Sequence, residues 1–251
     1  AQADPDVSSL LLEVDSPGGT VNGVPELAAE VFAASQRRGG PKPIVAVANG
    51  LAASAAYWIA SAADEVVVTP SGEVGGVGVF AVHEDWSASY ASAGIRHTLI
   101  SAGKYKVEAN SYQPLGEDAR QAIQARVNDY YGDFVHALAR HRDLSHDTVR
   151  TQFGEGRCLG ARRAVEAGMA DRVATFDETL RRLVRGRANG STSATPAART
   201  VAGTAGERQP AGGLALPERL TLSRAAWRRL WTQPTHAITI RQPRAPVPAT
   251  P

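Results

Sequence analysis

Short apolar runs recur through the first 185 residues. Most close on a turn rich in glycine or asparagine and lead into a helical pattern. Leu10-Leu11-Leu12-Glu13-Val14 ends in Asp15-Ser16-Pro17-Gly18-Gly19. Pro25 then suits the first turn of a helix with Leu27, Val31 and Ala34 on one face, and Gly39-Gly40-Pro41 stops it. A second strand, Ile44-Val45-Ala46-Val47-Ala48, leads through Asn49-Gly50 into a small-residue helix over 53–63. Glu65-Val66-Val67-Val68-Thr69 is a third strand, followed by a turn bearing Gly72, Gly75, Gly76 and Gly78. Further strands are expected over 77–82, 95–100 and 171–174. Further helices are expected over 86–93, 160–167 and 177–184. The longest, 117–142, carries Ile123, Val127, Tyr130, Phe134 and Leu138 on one stripe. Apolar strands separated by helical crossovers build a parallel sheet covered by helices. The expected fold class is therefore α/β, with a largely parallel sheet and flanking helices.

Charge divides the chain in two. Residues 187–251 hold nine arginines, two glutamates and eight of the 15 prolines, a charge of +7 within a net +2, so residues 1–186 carry −5. The expected organisation is a folded domain over 1–186 and a basic tail over 187–251, mostly disordered because it has too little apolar surface to offset ordering. Leu222, Ala226 and Leu230 give residues 220–231 of that tail a helical spacing. The near-neutral total gives no general case for a nucleic-acid partner. The longest apolar runs fall well short of the roughly 18 residues that a membrane span needs. The single cysteine, Cys158, excludes an intrachain disulfide and reads as a small buried residue. No metal or cofactor site is expected.

In open α/β sheets, ligands bind beyond the carboxyl ends of the strands. Three such ends are unusual. In Asp15-Ser16-Pro17-Gly18-Gly19 the glycines let the backbone turn sharply and expose an N–H. In Asn49-Gly50-Leu51-Ala52-Ala53-Ser54-Ala55-Ala56-Tyr57-Trp58, a serine flanked by alanines stands where a strand becomes a helix. An oxyanion can be stabilised by free N–H groups there, although a capping serine is the commoner occupant. The third end, Ser101-Ala102-Gly103-Lys104-Tyr105-Lys106-Val107-Glu108, holds two of only three lysines in the chain. A neutral lysine can replace histidine as a general base. Two solvated loop lysines would read the same way.

Together, in this order, the three motifs resemble the signal peptide peptidase A family of serine peptidases, in the ClpP/crotonase superfamily. The resemblance covers roughly residues 7–185. Lys104-Tyr105-Lys106-Val107-Glu108-Ala109-Asn110, Gln113-Pro114-Leu115 and the long helix are similar to the phage branch, the capsid-assembly (head maturation) proteases. The resemblance implies that Ser54 is the nucleophile and Lys106 the general base. It also implies that the backbone N–H groups of Gly18 and Ala55 form the oxyanion hole. Tyr57 and Trp58 are expected in the core behind the nucleophile. Where many members place a serine that holds the lysine, this chain has Gly76. Water or the Ser71 hydroxyl is then the expected partner of Lys106. Members also carry a strand and a helix ahead of the first motif, so the first strand is expected at an unpaired sheet edge, with stability or activity impaired if the chain is really this short.

The resemblance implies a serine endopeptidase with a Ser/Lys dyad, acting on capsid or scaffold polypeptides, with a signal-peptide hydrolase as the alternative. It implies a homo-oligomeric ring, in some members with serine and lysine meeting across subunits, and a cytoplasmic or prohead location. Three rivals remain. One is a Ser/His/Asp triad with His83 as base and Asp133 as its orienter. Another is a non-catalytic assembly module, and the third is a crotonase-type acyl-CoA enzyme. His97, His136, His141, His146 and His236 read as surface or helix-face residues.

Overall fold

The computed structural model describes residues 1–188, and the basic tail with its 220–231 segment lies outside the described residues. Its core is a six-stranded sheet built from β1 (Leu10–Ser16), β2 (Ile44–Ala53), β3 (Glu65–Val68), β4 (Glu73–Gly75), β5 (Cys158–Gly160) and β6 (Arg172–Val173). All strand pairs are parallel except β4 with β5. The α/β class and the largely parallel sheet are as expected.

β2 organises the sheet. Residues 45–48 pair with β1 on one side and with β3 on the other. Asn49-Gly50 was expected to end this strand. Instead Gly50, at φ 110°, lies within it, and the strand continues to pair with β4 through residues 51–53. β1 has β2 as its one strand partner among the described residues.

Helices cover both faces. α1 (Val24–Ala34), α2 (Ala55–Ala60), α4 (Glu117–Arg142), α5 (His146–Gln152) and α6 (Ala161–Glu166) contribute to the larger core, against Ala48, Ala52, Val66, Val68 and Val74. α7 (Phe176–Ala188) covers the opposite face, where Phe176 and Leu183 meet Val45, Val47 and Val67. Trp58 of α2 stacks on Phe134 of α4, with centroids 4.4 Å apart and planes 5° apart. Tyr57 is fully buried and donates its hydroxyl to the Met169 carbonyl at 2.8 Å. Both aromatics are core residues, as expected.

Several expectations are corrected. The buried face of α1 is Val24, Ala28 and Phe32, whereas Leu27 is exposed. Neither 77–82 nor 95–100 forms a strand, because among the described residues no other strand pairs with their backbone. They belong to an arm, residues 79–116, whose one helix is α3 (Ser87–Ser92) and which exposes Phe80, Val82 and Ile100. Cys158 is half-buried on the edge strand β5, where burial and then the nearby Glu73 carboxylate push its thiol pKa up. His141 is not a surface residue. It is buried to 1 % exposure against Phe32, at the carboxyl end of α4. No helix among the described residues is long and apolar enough to cross a membrane.

Candidate active site

Parallel register brings two of the motifs together. Ser16 of β1 pairs with Ala52 of β2, so the chain two residues beyond each strand position arrives at the same place. Those residues are Gly18 and Ser54. The approach is close. A Cβ at Gly18 would come within 2.7 Å of the Ala53 carbonyl oxygen and of Ser54 Cβ, and within 2.9 Å of the Ala55 nitrogen. Gly18 also has φ 98°, so only glycine satisfies both the space and the backbone there.

Ser54 stands between β2 and α2 with φ 53° and ψ −125°. Positive φ at a non-glycine residue costs about 1–3 kcal/mol and persists where the surroundings enforce it. Here the enforcement is visible. The Ser54 N–H donates to the Gly75 carbonyl at the end of β4 (2.7 Å), and the Ser54 carbonyl accepts from the Trp58 N–H (2.9 Å). Stacking of Trp58 on Phe134 fixes α2 from behind. A capping serine would accept a backbone N–H of the helix's first turn on its hydroxyl oxygen. Ser54 does not, and its Oγ has no hydrogen-bond partner among the described residues. The half-buried Ser54 therefore presents an uncommitted hydroxyl beside the Ala55 N–H, on a strained strand-to-helix junction.

The Gly18 N–H is not free. It donates to Ser16 Oγ at 3.2 Å, a long bond to a rotatable hydroxyl. Gly76, where a serine was looked for, has φ 63°, and a Cβ there would come within 2.9 Å of the Ser54 nitrogen. A side chain at 76 therefore presses on the backbone of Ser54. Gly75 reads in the sequence only as a turn residue, and Gly76 as a turn residue at the place of an absent serine. The clue to their role was the doubled glycine, which permits close approach to Ser54 and to Arg157-Cys158.

Lys106 lies elsewhere on the chain, in the consecutive turns of the exposed arm. Its N–H donates to the Gly103 carbonyl at 3.1 Å, and its ammonium has no hydrogen bond or ion pair among the described residues. A single chain thus brings together Gly18, Ser54 and Ala55, and does not join Lys106 to Ser54. Lys104 is engaged differently, with Nζ 4.7 Å from the Tyr105 ring centroid. Ser71 is exposed in an open cleft with Asn49, Gly50, Thr69 and the first turn of α7, and no bond joins it to Lys106. Nor is a triad formed. His83 Nε2 is bonded to the Asn110 carbonyl at 3.1 Å, and Asp133 is exposed on α4 with no bond to His83. A carbonyl only accepts, so this His83 nitrogen carries the proton and has no lone pair for a serine hydroxyl.

The sequence profile described as peptidase family S49 matches residues 36–189. The chain is 32% identical over 180 residues to the head-tail preconnector protein of Enterobacteria phage P21, covering 72% of this chain and 35% of that protein. It is equally similar, 32% over 180 residues, to capsid assembly protease C of Escherichia phage lambda, covering 72% and 40%. Protease 4 of Salmonella typhi is 29% identical over 180 residues, covering 72% and 28%. The chain therefore spans well under half the length of these three relatives.

Proposed function

The chain belongs to peptidase family S49, and on that premise we propose that it is a serine endopeptidase in which Ser54 and Lys106 form a catalytic dyad. The observation that carries the reading is the Ser54 hydroxyl itself. It is uncommitted, it is held at a strained junction, and it is flanked by the Ala55 N–H and by a glycine at van der Waals limit.

In the proposed reaction, neutral Lys106 accepts the Ser54 proton as Oγ bonds to the substrate carbonyl carbon. The tetrahedral oxyanion is held by the Ala55 N–H and by the Gly18 N–H, which exchanges Ser16 Oγ for it. The intermediate collapses, the C–N bond breaks, and the Lys106 ammonium returns its proton to the leaving amine. Water, deprotonated by Lys106, then attacks the acyl carbon and releases Ser54.

A lysine serves as base only when neutral, which desolvation favours. In the single chain Lys106 is exposed, on an arm whose Phe80 and Ile100 are 86% and 93% exposed. We therefore assign completion of the dyad to a homo-oligomeric ring of the ClpP/crotonase type, in which a neighbour covers the arm. The relatives named as phage preconnector and capsid assembly protease support a capsid or scaffold polypeptide as substrate, in a cytoplasmic or prohead setting. The similarity to protease 4 supports signal-peptide hydrolysis as the second reading.

The test is hydrolysis of fluorescein-labelled casein and of a candidate scaffold protein by the parent chain, Ser54→Ala and Lys106→Ala. Loss of either dyad member is expected to lower the rate by about 1,000-fold or more. An undiminished Ser54→Ala rate contradicts the assignment, and a folded, oligomeric parent with no hydrolysis supports the non-catalytic assembly module instead.

A further inference from the structure

The arm that carries Lys106 is ordered by polar joints of its own, and these converge on Asn110. The Asn110 Nδ2 donates to the Val107 carbonyl at 2.7 Å, and its Oδ1 accepts from the Tyr112 N–H at 2.9 Å. Its backbone carbonyl accepts from His83 Nε2 at 3.1 Å. One residue earlier, Ala109 has φ 54°, a conformation that needs such bracing. One residue later, the Ser111 carbonyl accepts from the Trp86 N–H at 2.9 Å. The Tyr112 ring stacks on His97 with centroids 4.1 Å apart, and Tyr90 meets the edge of His97 at 4.5 Å.

Within the arm, His83 joins the Asn110 turn to the segment that leaves the sheet. Residues 76–83 run directly from β4, whose Gly75 carbonyl holds the Ser54 N–H, and Val77 on that path is buried. Tracing the contacts from the nucleophile gives Ser54, Gly75, the 76–83 strap, His83, Asn110, and then the turn of Val107 and Lys106.

We propose that His83 and Asn110 are positioning residues for Lys106. His83 ties the lysine turn to the strap leaving β4, and Asn110 closes that turn through Val107. Neither side chain takes the serine's proton. This inference rests on the dyad reading and extends it to the residues that place the base.

The experiment follows phosphonylation of the full chain by a fluorophosphonate probe, with kinact and KI resolved for each variant. A misplaced base slows chemistry and leaves probe binding alone. His83→Ala and Asn110→Ala are each expected to lower kinact by about 10- to 100-fold with KI unchanged. The double variant is expected to be little worse than either alone, since the two act through one joint. His83→Gln retains a side-chain N–H donor and is expected to recover most of the rate. A general base would not be rescued in that way.

Circular dichroism and thermal midpoints accompany each variant, so that lost folding is not read as lost positioning. A slow but fully folded His83→Gln, equal to His83→Ala, overturns the proposal by making the imidazole itself a participant. A His83→Ala and an Asn110→Ala as fast as the parent, beside a slow Lys106→Ala, overturn it while leaving the dyad intact. A Lys106→Ala as fast as the parent overturns the dyad reading, and the proposal with it.

Discussion

Acid is expected to loosen the helix that follows Ser54, through one buried imidazole. His141 sits at the carboxyl end of α4, 1 % exposed. Its Nδ1 is 2.9 Å from Ser61 Oγ, and that hydroxyl lies 2.7 Å from the Trp58 carbonyl. Ser61 has one proton. Giving it to Trp58 leaves Nδ1–H as the donor to Ser61, and Nε2 then carries the lone pair. Nε2 is buried without a partner. Protonating it would bury a cation facing no acceptor. Burial, and then the positive charges of Arg140, Arg142 and Arg37, hold the His141 pKa down to about 4 from the ordinary 6.5.

The sign follows from proton binding. Between pH 6.5 and 4 the unfolded chain takes up a proton that the native chain refuses, so stability falls as pH falls across that window. The full loss is about 3 kcal/mol, of which about 2 kcal/mol is gone by pH 5. Above pH 6.5 the contribution is complete and constant. The assay is urea unfolding at pH 7.5, 6, 5 and 4, in the parent and in His141→Asn. Asparagine keeps a polar group toward Ser61 and cannot titrate. Its stability is expected to be lower at pH 7.5, from lost packing on Phe32, and nearly flat down to pH 4. A His141→Asn slope equal to the parent's across pH 6.5–4 refutes the reasoning.

The remaining predictions concern the cradle and the core. Gly18→Ala puts a Cβ 2.7 Å from the Ala53 carbonyl oxygen at φ 98°; it is expected to cost about 1–3 kcal/mol in urea unfolding and, by displacing the N–H proposed as an oxyanion donor, at least about 100-fold in casein hydrolysis. Arg142, 5 % exposed on its side chain, makes two hydrogen bonds to Asp171. Arg142→Ala is expected to destabilise by about 3 kcal/mol, the low end for a broken buried pair because Asp171 remains a third exposed. Burial alone would raise the Asp171 carboxyl, and its bonds to Arg142 hold it below the ordinary range instead. In the parent that pair is therefore lost below the ordinary carboxylate pKa, beneath most of the His141 window, and Arg142→Ala should flatten the acid end of the curve. Calorimetry across pH 2–7 checks it.

The elements that read clearly in the sequence are those whose burial is repeated over many residues. The Val-rich strands and the stripe ending at Phe134 and Leu138 are of this kind, and β1 and β2 fixed where Gly18 and Ser54 meet. His141 continues that stripe by three residues from Leu138, but its polar side chain reads in the sequence as a surface residue, and its burial was missed. β5 and α5 were missed because three residues cannot show a period and because His146–Gln152 has only one buried position, Val149. The strands expected over 77–82 and 95–100 have the right composition. A strand also needs a neighbouring edge, and no residue pattern within one segment supplies that. The same gap separates Lys106 from Ser54: their order along the chain was plain, whereas the single chain does not join them.

The central claim, that Ser54 is an activated nucleophile, is tested most directly by mass spectrometry of the parent chain after fluorophosphonate treatment. The predicted result is one phosphonyl adduct on the peptide containing Ser54, absent in Ser54→Ala and strongly slowed in Lys106→Ala. A folded, oligomeric sample with Ser54 unmodified, or an adduct that forms equally fast in Lys106→Ala, contradicts the account.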